Sequence, residues 1–284
     1  MNPPAKNWKL RSRRLSVGKI PLLMGIINVT PDSFSDGGRF FEPDAAIEHG
    51  QQLAAAGADI LDVGGQSSRP GSRPVEPDEE LRRVAPVVAA LCRQTSLPVS
   101  IDTSRAIVAR EALAAGAEAI NDVTALGGDA DMLRLAAESA AGVCAMHMQG
   151  TPQTMQRDPA YDDVVEDVLA YLRRRRDALE AAGVERDRIA LDPGIGFGKT
   201  TEHNLTLLAN ARRFHELGTP VLVGHSRKRF IGEVLGDASA DRTAGTIGVA
   251  LSLARQGVQI LRVHDVAAVR QALLLHEATS GDYS

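Results

Sequence analysis

An α/β fold of eight parallel strands, each followed by a helix, is what this sequence predicts. Three observations carry it. Short β-rich runs alternate with Ala- and Leu-rich helical patterns at a spacing of about 35 residues, the size of a strand, crossover and helix unit. The runs are apolar at consecutive positions rather than alternating, as strands of a parallel sheet covered on both faces are. Nearly every run ends on a polar or ionisable residue.

The strands fall at 22–28, 59–64, 99–102, 119–122, 143–147, 189–192, 221–224 and 259–264. Between them, 44–56, 77–92, 105–115 and 130–139 have helical composition and length, as does the pattern from Glu202 to Phe214. The stretch 54–63 is echoed by 114–123, and Gly257 opens the last strand in the same way. Each copy reads as a helix end, a terminating glycine and a buried strand. Such a sheet most simply closes into a single (β/α)8 TIM barrel, with an open doubly wound sheet as the alternative.

At 284 residues and 44% apolar content the chain can bury one large aliphatic core. No linker divides it, so residues 1–284 are expected to form one domain, with 1–20 as an N-terminal extension. A net charge of −4 argues against a nucleic-acid surface. Cys92 and Cys144 lack metal-ligand spacing and fit core positions in a reducing compartment. The basic opening segment is followed by no apolar run of the kind a secretory leader needs, and nothing is long enough to span a membrane. A cytoplasmic protein without membrane or nucleic-acid partners is the expectation.

The run Ile189–Asp192 leads into Pro193 and three glycines within five residues, so the strand must end at Asp192. That carboxylate either caps its own loop or faces a ligand above the sheet. The other tips carry Asn28, Asp62, Asp102, Asn121 with Asp122, His147, Ser226 with Lys228, and Arg262 with His264. Any one could be a buried structural residue, but a full ring is costly to a core and implies a ligand at the C-terminal rim. Two aspartates and an asparagine complement a flat heterocycle with an amino-amide edge, and Lys228 could reach its carbonyl. Asn28, Arg262 and His264 come from the first and last strands, which closure makes neighbours, and they offer donors suited to phosphate oxygens. Two long polar loops, 28–38 and 64–74, complete the rim and have the composition of binding loops or lids.

The segments NVTPDSFSDGG, DVGGQSSRPGS, SIDTSR, INDV, MHMQGTPQTMQ, DPGIGFGK, GHSRKRFIG and RVHDV, in this order, resemble bacterial dihydropteroate synthase. The resemblance implies a TIM barrel, usually a homodimer. It implies an enzyme that joins p-aminobenzoate to 6-hydroxymethyl-7,8-dihydropterin pyrophosphate in folate biosynthesis and is the target of sulfonamides. It assigns Asp102, Asn121, Asp192 and Lys228 to the pterin, with Met146 nearby, and Asn28 to a Mg2+ ion. Arg262 and His264 would hold the pyrophosphate. Ser68, Arg69, Pro70 and Phe34 would shape the p-aminobenzoate pocket with Ser226 and Lys228. Asp36 or Asp32 could sit over the cation left when pyrophosphate departs. Two departures stand out: Gln66 where the family usually has glutamate, and Ser68 where it usually has threonine. A pterin-binding methyltransferase domain would share the barrel and the aspartate and asparagine ring, yet lack the SRPGS and RVHDV segments. A silent relative that binds pterin without turning it over is the other rival.

The run Arg173 to Arg176 closes a helix that opens with Asp162, Asp163, Glu166 and Asp167, so charge complements the helix dipole and a solvated face is expected.

Overall fold

The computed structural model describes residues 3–30, 43–67, 71–72 and 75–280. Among them, eight parallel strands run β3 (Leu22–Asn28), β4 (Ile60–Gly64), β5 (Val99–Asp102), β6 (Ala119–Asp122), β7 (Gly142–Met146), β8 (Ile189–Asp192), β9 (Leu222–Gly224) and β10 (Ile260–Val263). From β3 to β8 each strand pairs with the next, and β10 pairs with both β9 and β3, which leaves β8 and β9 at the two ends of the ladder. The ring closes where Leu191 bridges Val221 in parallel and donates its N–H to the Pro220 carbonyl at 2.9 Å. The barrel, not the open sheet, is the arrangement formed.

The helices lie outside the ring. Those expected at 44–56, 77–92, 105–115 and 130–139 form as α1 (Pro43–Ala55), α2 (Pro77–Gln94), α3 (Ala106–Ala114) and α4 (Met132–Glu138). Helix α5 (Val164–Ala181) is capped by Asp163, whose carboxylate accepts from the N–H groups of Val165 and Glu166. The pattern from Glu202 to Phe214 does not form one helix. It divides into α6 (Thr201–Ala209) and a 3-10 turn, Ala211–Leu217, at Asn210, whose side chain donates to the Thr206 carbonyl. After them come α7 (Arg229–Val234), α8 (Thr243–Arg255) and α9 (Val266–Thr279).

Side chains alternate between the two faces of each strand. Outward residues such as Leu61, Ile101, Ile120, Val143 and Leu191 pack under the helices in the main core. Inward residues form a second cluster of Leu22, Met24, Ile60, Ala119, Cys144, Ala190, Leu222 and Ile260. Two residues further along, the same inward face carries Asp62, Asn121, Met146, Asp192 and Arg262. One alternation therefore builds both the apolar floor and the polar site above it.

The floor is sealed from below by the segment taken as an N-terminal extension. Residues Asn7–Lys9 (β1) and Arg14–Ser16 (β2) form an antiparallel hairpin that inserts Trp8 and Leu10, 0% and 1% exposed, into the inward cluster. Trp8 Nε1 donates to the Arg188 carbonyl at 2.9 Å. Glu118 accepts from Ser12 and Arg13, and Arg14 pairs with Asp187. Cys144 lies in the floor and both cysteines are free thiols. No described helix is long and apolar enough to cross a membrane.

Candidate active site

The candidate site lies at the C-terminal ends of the strands, where successive β-pairings set Gly64, Asp102 and Asn121 side by side and Met146 beside Asp192. Arg262, from β10, reaches across the ring. Its Nε donates to Asp62 Oδ2 at 2.6 Å and its Nη2 to Asp102 Oδ2 at 2.7 Å. The guanidinium, expected at the pyrophosphate, pairs here with two carboxylates, one of them Asp102, which is expected at the pterin. Burial pushes Asp102 up to about 7 against the pull of Arg262. Burial likewise opposes the charge of Arg262, but Asp62 and Asp102 outweigh it and hold the guanidinium protonated.

Asp192 caps its own loop, its Oδ1 accepting from Gly194 N at 2.7 Å. Burial raises its pKa, opposed first by Lys228. Lys228 lies half-buried with its ammonium 4.5 Å from the centroid of the Phe197 ring, and donates to the Ile195 carbonyl. Burial draws it down to about 8 although Asp192 favours its charge.

The glycine loop is folded tightly against the segment after β7. A Cβ on Gly194, at φ 69°, would stand 1.8 Å from the His147 carbonyl oxygen, and one on Gly198, at φ 62°, 2.5 Å from that of Gln149. Gln156 and Tyr161 donate to the carbonyls of Gly196 and Gly198 at 2.9 and 2.6 Å. Lys199 turns inward beneath the loop, 2% exposed, and bonds the Phe197 carbonyl and His147 Nδ1, both at 2.9 Å.

Two members of the expected polar ring point elsewhere. His147 follows the inward Met146 and so faces out, edge-on to Tyr171 at 4.8 Å between centroids. Burial, then Lys199, lowers its pKa to about 3. Asp122 likewise follows the inward Asn121 and holds its own turn, accepting from Thr124 N at 2.7 Å and Leu126 N at 3.0 Å. The expected solvated face of the arginine run is also only half right. Arg173 and Arg174 are exposed, whereas Arg175 bonds the Ala125 carbonyl and Arg176 that of Leu217.

At the tips of β9 and β10, Ser226 Oγ lies 3.0 Å from His264 Nδ1, joining one residue expected at the aryl amine to one expected at the pyrophosphate. Asn28 stands half-buried at the tip of β3. Phe34, Asp36, Asp32, Ser68, Arg69 and Pro70 lie outside the described residues. The stems of the second loop are held from α2 and from Arg105, the residue that opens α3. Arg83, paired with Glu79, donates to the Gly65 carbonyl at 3.1 Å. Arg105 donates to the Val75 carbonyl while facing Glu80, which is 1% exposed and also accepts from Thr103 at 2.6 Å.

Residues 24–264 match the model of the family described as pterin binding enzyme. The dihydropteroate synthase of Escherichia coli strain K12 is 46% identical over 259 residues, covering 91% of this chain and 92% of that protein. The chain belongs to the dihydropteroate synthase family. The enzyme of Neisseria meningitidis serogroup B is 46% identical over 277 residues, covering 95% of this chain and 96% of its own. The crystal structure of Xanthomonas albilineans dihydropteroate synthase with 4-aminobenzoic acid superposes with a TM-score of 0.90 at 46% identity, covering 98% of this chain and 99% of that one. The same enzyme in complex with 7,8-dihydropteroate gives a TM-score of 0.87 at 45% identity, covering 97% and 99%. Two features of the site have no local signal in the sequence. Asp62 was visible as a strand-tip carboxylate, but its link to Arg262 and Asn121 was not. Lys199 follows a loop without periodicity, so nothing local signalled its burial.

Proposed function

We propose that this chain joins p-aminobenzoate to 6-hydroxymethyl-7,8-dihydropterin pyrophosphate, giving 7,8-dihydropteroate and pyrophosphate. The observation that carries the reading is the convergence of Asp102, Asn121 and Asp192 around one mouth with Lys228 as donor, the complement of a pterin's amino-amide edge. The buried carboxylates accept from the ring's N–H groups, and Lys228 donates to its carbonyl. A ring so held presents its methylene toward the tips of β3, β9 and β10.

The C–O bond to pyrophosphate breaks first, and its electron pair leaves with the phosphate oxygen. The dihydropterin spreads the resulting positive charge, and Asp36 or Asp32 is the carboxylate that would stabilise it. The neutral amine nitrogen of p-aminobenzoate forms the new C–N bond and then loses its proton. An aryl amine is already nucleophilic at neutral pH, so placement and charge stabilisation, not a strong base, are what this site supplies. His264, steadied by Ser226, faces the departing charge.

Mg2+ is part of this proposal. Among the described residues no cluster of three His, Cys, Asp or Glu side chains could hold a metal. A single amide oxygen from Asn28 fits an ion whose other oxygens come from pyrophosphate and water, as Mg2+ prefers. When bound, Mg2+ would neutralise charge on the leaving pyrophosphate. A cytoplasmic homodimer belongs to the same proposal. Exposed apolar side chains Val234, Leu235, Leu274 and Leu275 near the ends of α7 and along α9 support the association.

Mixing the purified chain with the pterin pyrophosphate, p-aminobenzoate and Mg2+ should release pyrophosphate and form dihydropteroate. Pterin binding without pyrophosphate release would instead identify a silent member of the family.

A further inference from the structure

We propose that Asp62 is a specificity-determining positioning residue, which fixes the orientation of the Asn121 amide and so makes the pocket take a 2-amino ring and refuse its 2-oxo counterpart. The inference rests on the pterin reading above and adds the means by which that ring is told from a near isostere.

Asp62 lies beneath the mouth. It pairs in register with Ile26 and Ser100, whereas Gly64, one inward position further along, is level with Asp102 and Asn121. Its side chain is fully buried, so it meets other residues of the pocket. Asp62 Oδ2 accepts from Asn121 Nδ2 at 3.0 Å and from Arg262 Nε at 2.6 Å. Its Oδ1 is buried without a hydrogen-bond partner among the described residues.

A carboxylate paired with a guanidinium can only accept. The two ends of an asparagine amide are nearly isosteric, and only their partners decide which way the group turns. Here Asp62 requires the Asn121 nitrogen on its own side, which leaves Oδ1 for the ligand. Asn121 then joins Asp102 and Asp192 as an acceptor, matching ring N–H and exocyclic amino donors on adjacent atoms. A 2-oxo ring would set oxygen against oxygen at that position. Sites built on such hydrogen bonds reject a mismatched analogue far more strongly than apolar pockets do.

Asp62→Asn keeps the volume but supplies both a donor and an acceptor, so Arg262 retains a partner and the Asn121 amide becomes free to turn over. Titration calorimetry with 6-hydroxymethylpterin and 6-hydroxymethyllumazine, on the full wild-type chain and the variant, tests this. The wild type should prefer the 2-amino ring, and that preference should shrink about tenfold or more in Asp62→Asn. A variant that keeps the wild-type ratio, even with both affinities lowered, overturns the proposal. A wild type that binds neither ring overturns the pterin reading itself, and this inference with it. A second measurement needs no variant: exchange of the Asn121 side-chain amide protons, followed by NMR in the wild type. Slowed exchange in the free protein supports the anchoring by Asp62, and exchange at the rate of a free amide refutes it.

Discussion

Arg262 Nη2 lies 2.7 Å from Asp102 Oδ2, so the last strand of the barrel holds a carboxylate of the third across the pocket. Removing that carboxylate takes away a ligand acceptor without leaving the guanidinium alone, since Asp62 still accepts from its Nε. Asp102→Ala should therefore weaken pterin binding by about 2 kcal/mol or more while the barrel remains folded. Asp192→Ala should weaken it similarly and also loosen the loop that Asp192 caps. Calorimetric affinity beside thermal unfolding separates the two effects, and wild-type affinity in either variant would remove that residue from the pocket.

Pterin affinity should depend on pH in a narrow window. The acceptor at Asp102 is lost as pH falls through about 7, and the donor at Lys228 is lost as pH rises through about 8. Affinity should peak between these values and decline on both sides. Asp102→Asn should flatten the acid limb and Lys228→Arg the basic one. The linked stabilities run in stated directions. The raised Asp102 pKa destabilises the fold increasingly as pH climbs from the ordinary carboxylate range through about 7, and that cost then persists. The lowered Lys228 pKa carries its full cost below about 8, relieved as pH rises toward the ordinary lysine value. A profile flat across this range would count against both assignments.

Gly194→Ala should be severely destabilising, by more than about 3 kcal/mol, because a positive φ and a backbone carbonyl coincide at one position. The Cβ would meet His147 oxygen at 1.8 Å, which only movement of the strand-tip segment could relieve. Denaturant unfolding measures this, and near-wild-type stability would mean that the loop has another accessible arrangement.

Trp8→Ala should cost about 3–5 kcal/mol, the range for emptying a large buried aromatic site. It also leaves the Arg188 carbonyl without its indole donor. The loss should appear in global unfolding, because the hairpin seals the floor on which every inward strand residue rests.

Gln66→Glu should be tolerated and should raise pyrophosphate release by no more than about threefold, the scale of a partly exposed charge contact. Arg83 and Arg105 already hold the carbonyls of Gly65 and Val75 at the loop's stems, and Glu79 and Glu80 supply their partners. Turnover that appears only in the glutamate variant would establish the silent-relative reading of the natural chain.

The strand spans, the parallel class and most of the rim were legible in the sequence, because a buried strand is a local fact. Short, mostly apolar runs ended by Asp102, Asn121 or Asp192 fold the same way whatever lies opposite. The tertiary structure decided which neighbour of a polar pair looks inward. Asn121 and Met146 do so, and Asp122 and His147 do not, because pairing across the closed ring sets the phase of each strand. Closure alone brought Arg262 to Asp62 and Asp102, residues 200 and 160 positions away. Likewise the hairpin around Trp8 has strands of three residues, too short for a period to show, and is held by floor residues drawn from across the barrel. Composition and spacing carry contacts within a turn or a strand, whereas contacts across a barrel depend on a closure that no single segment encodes.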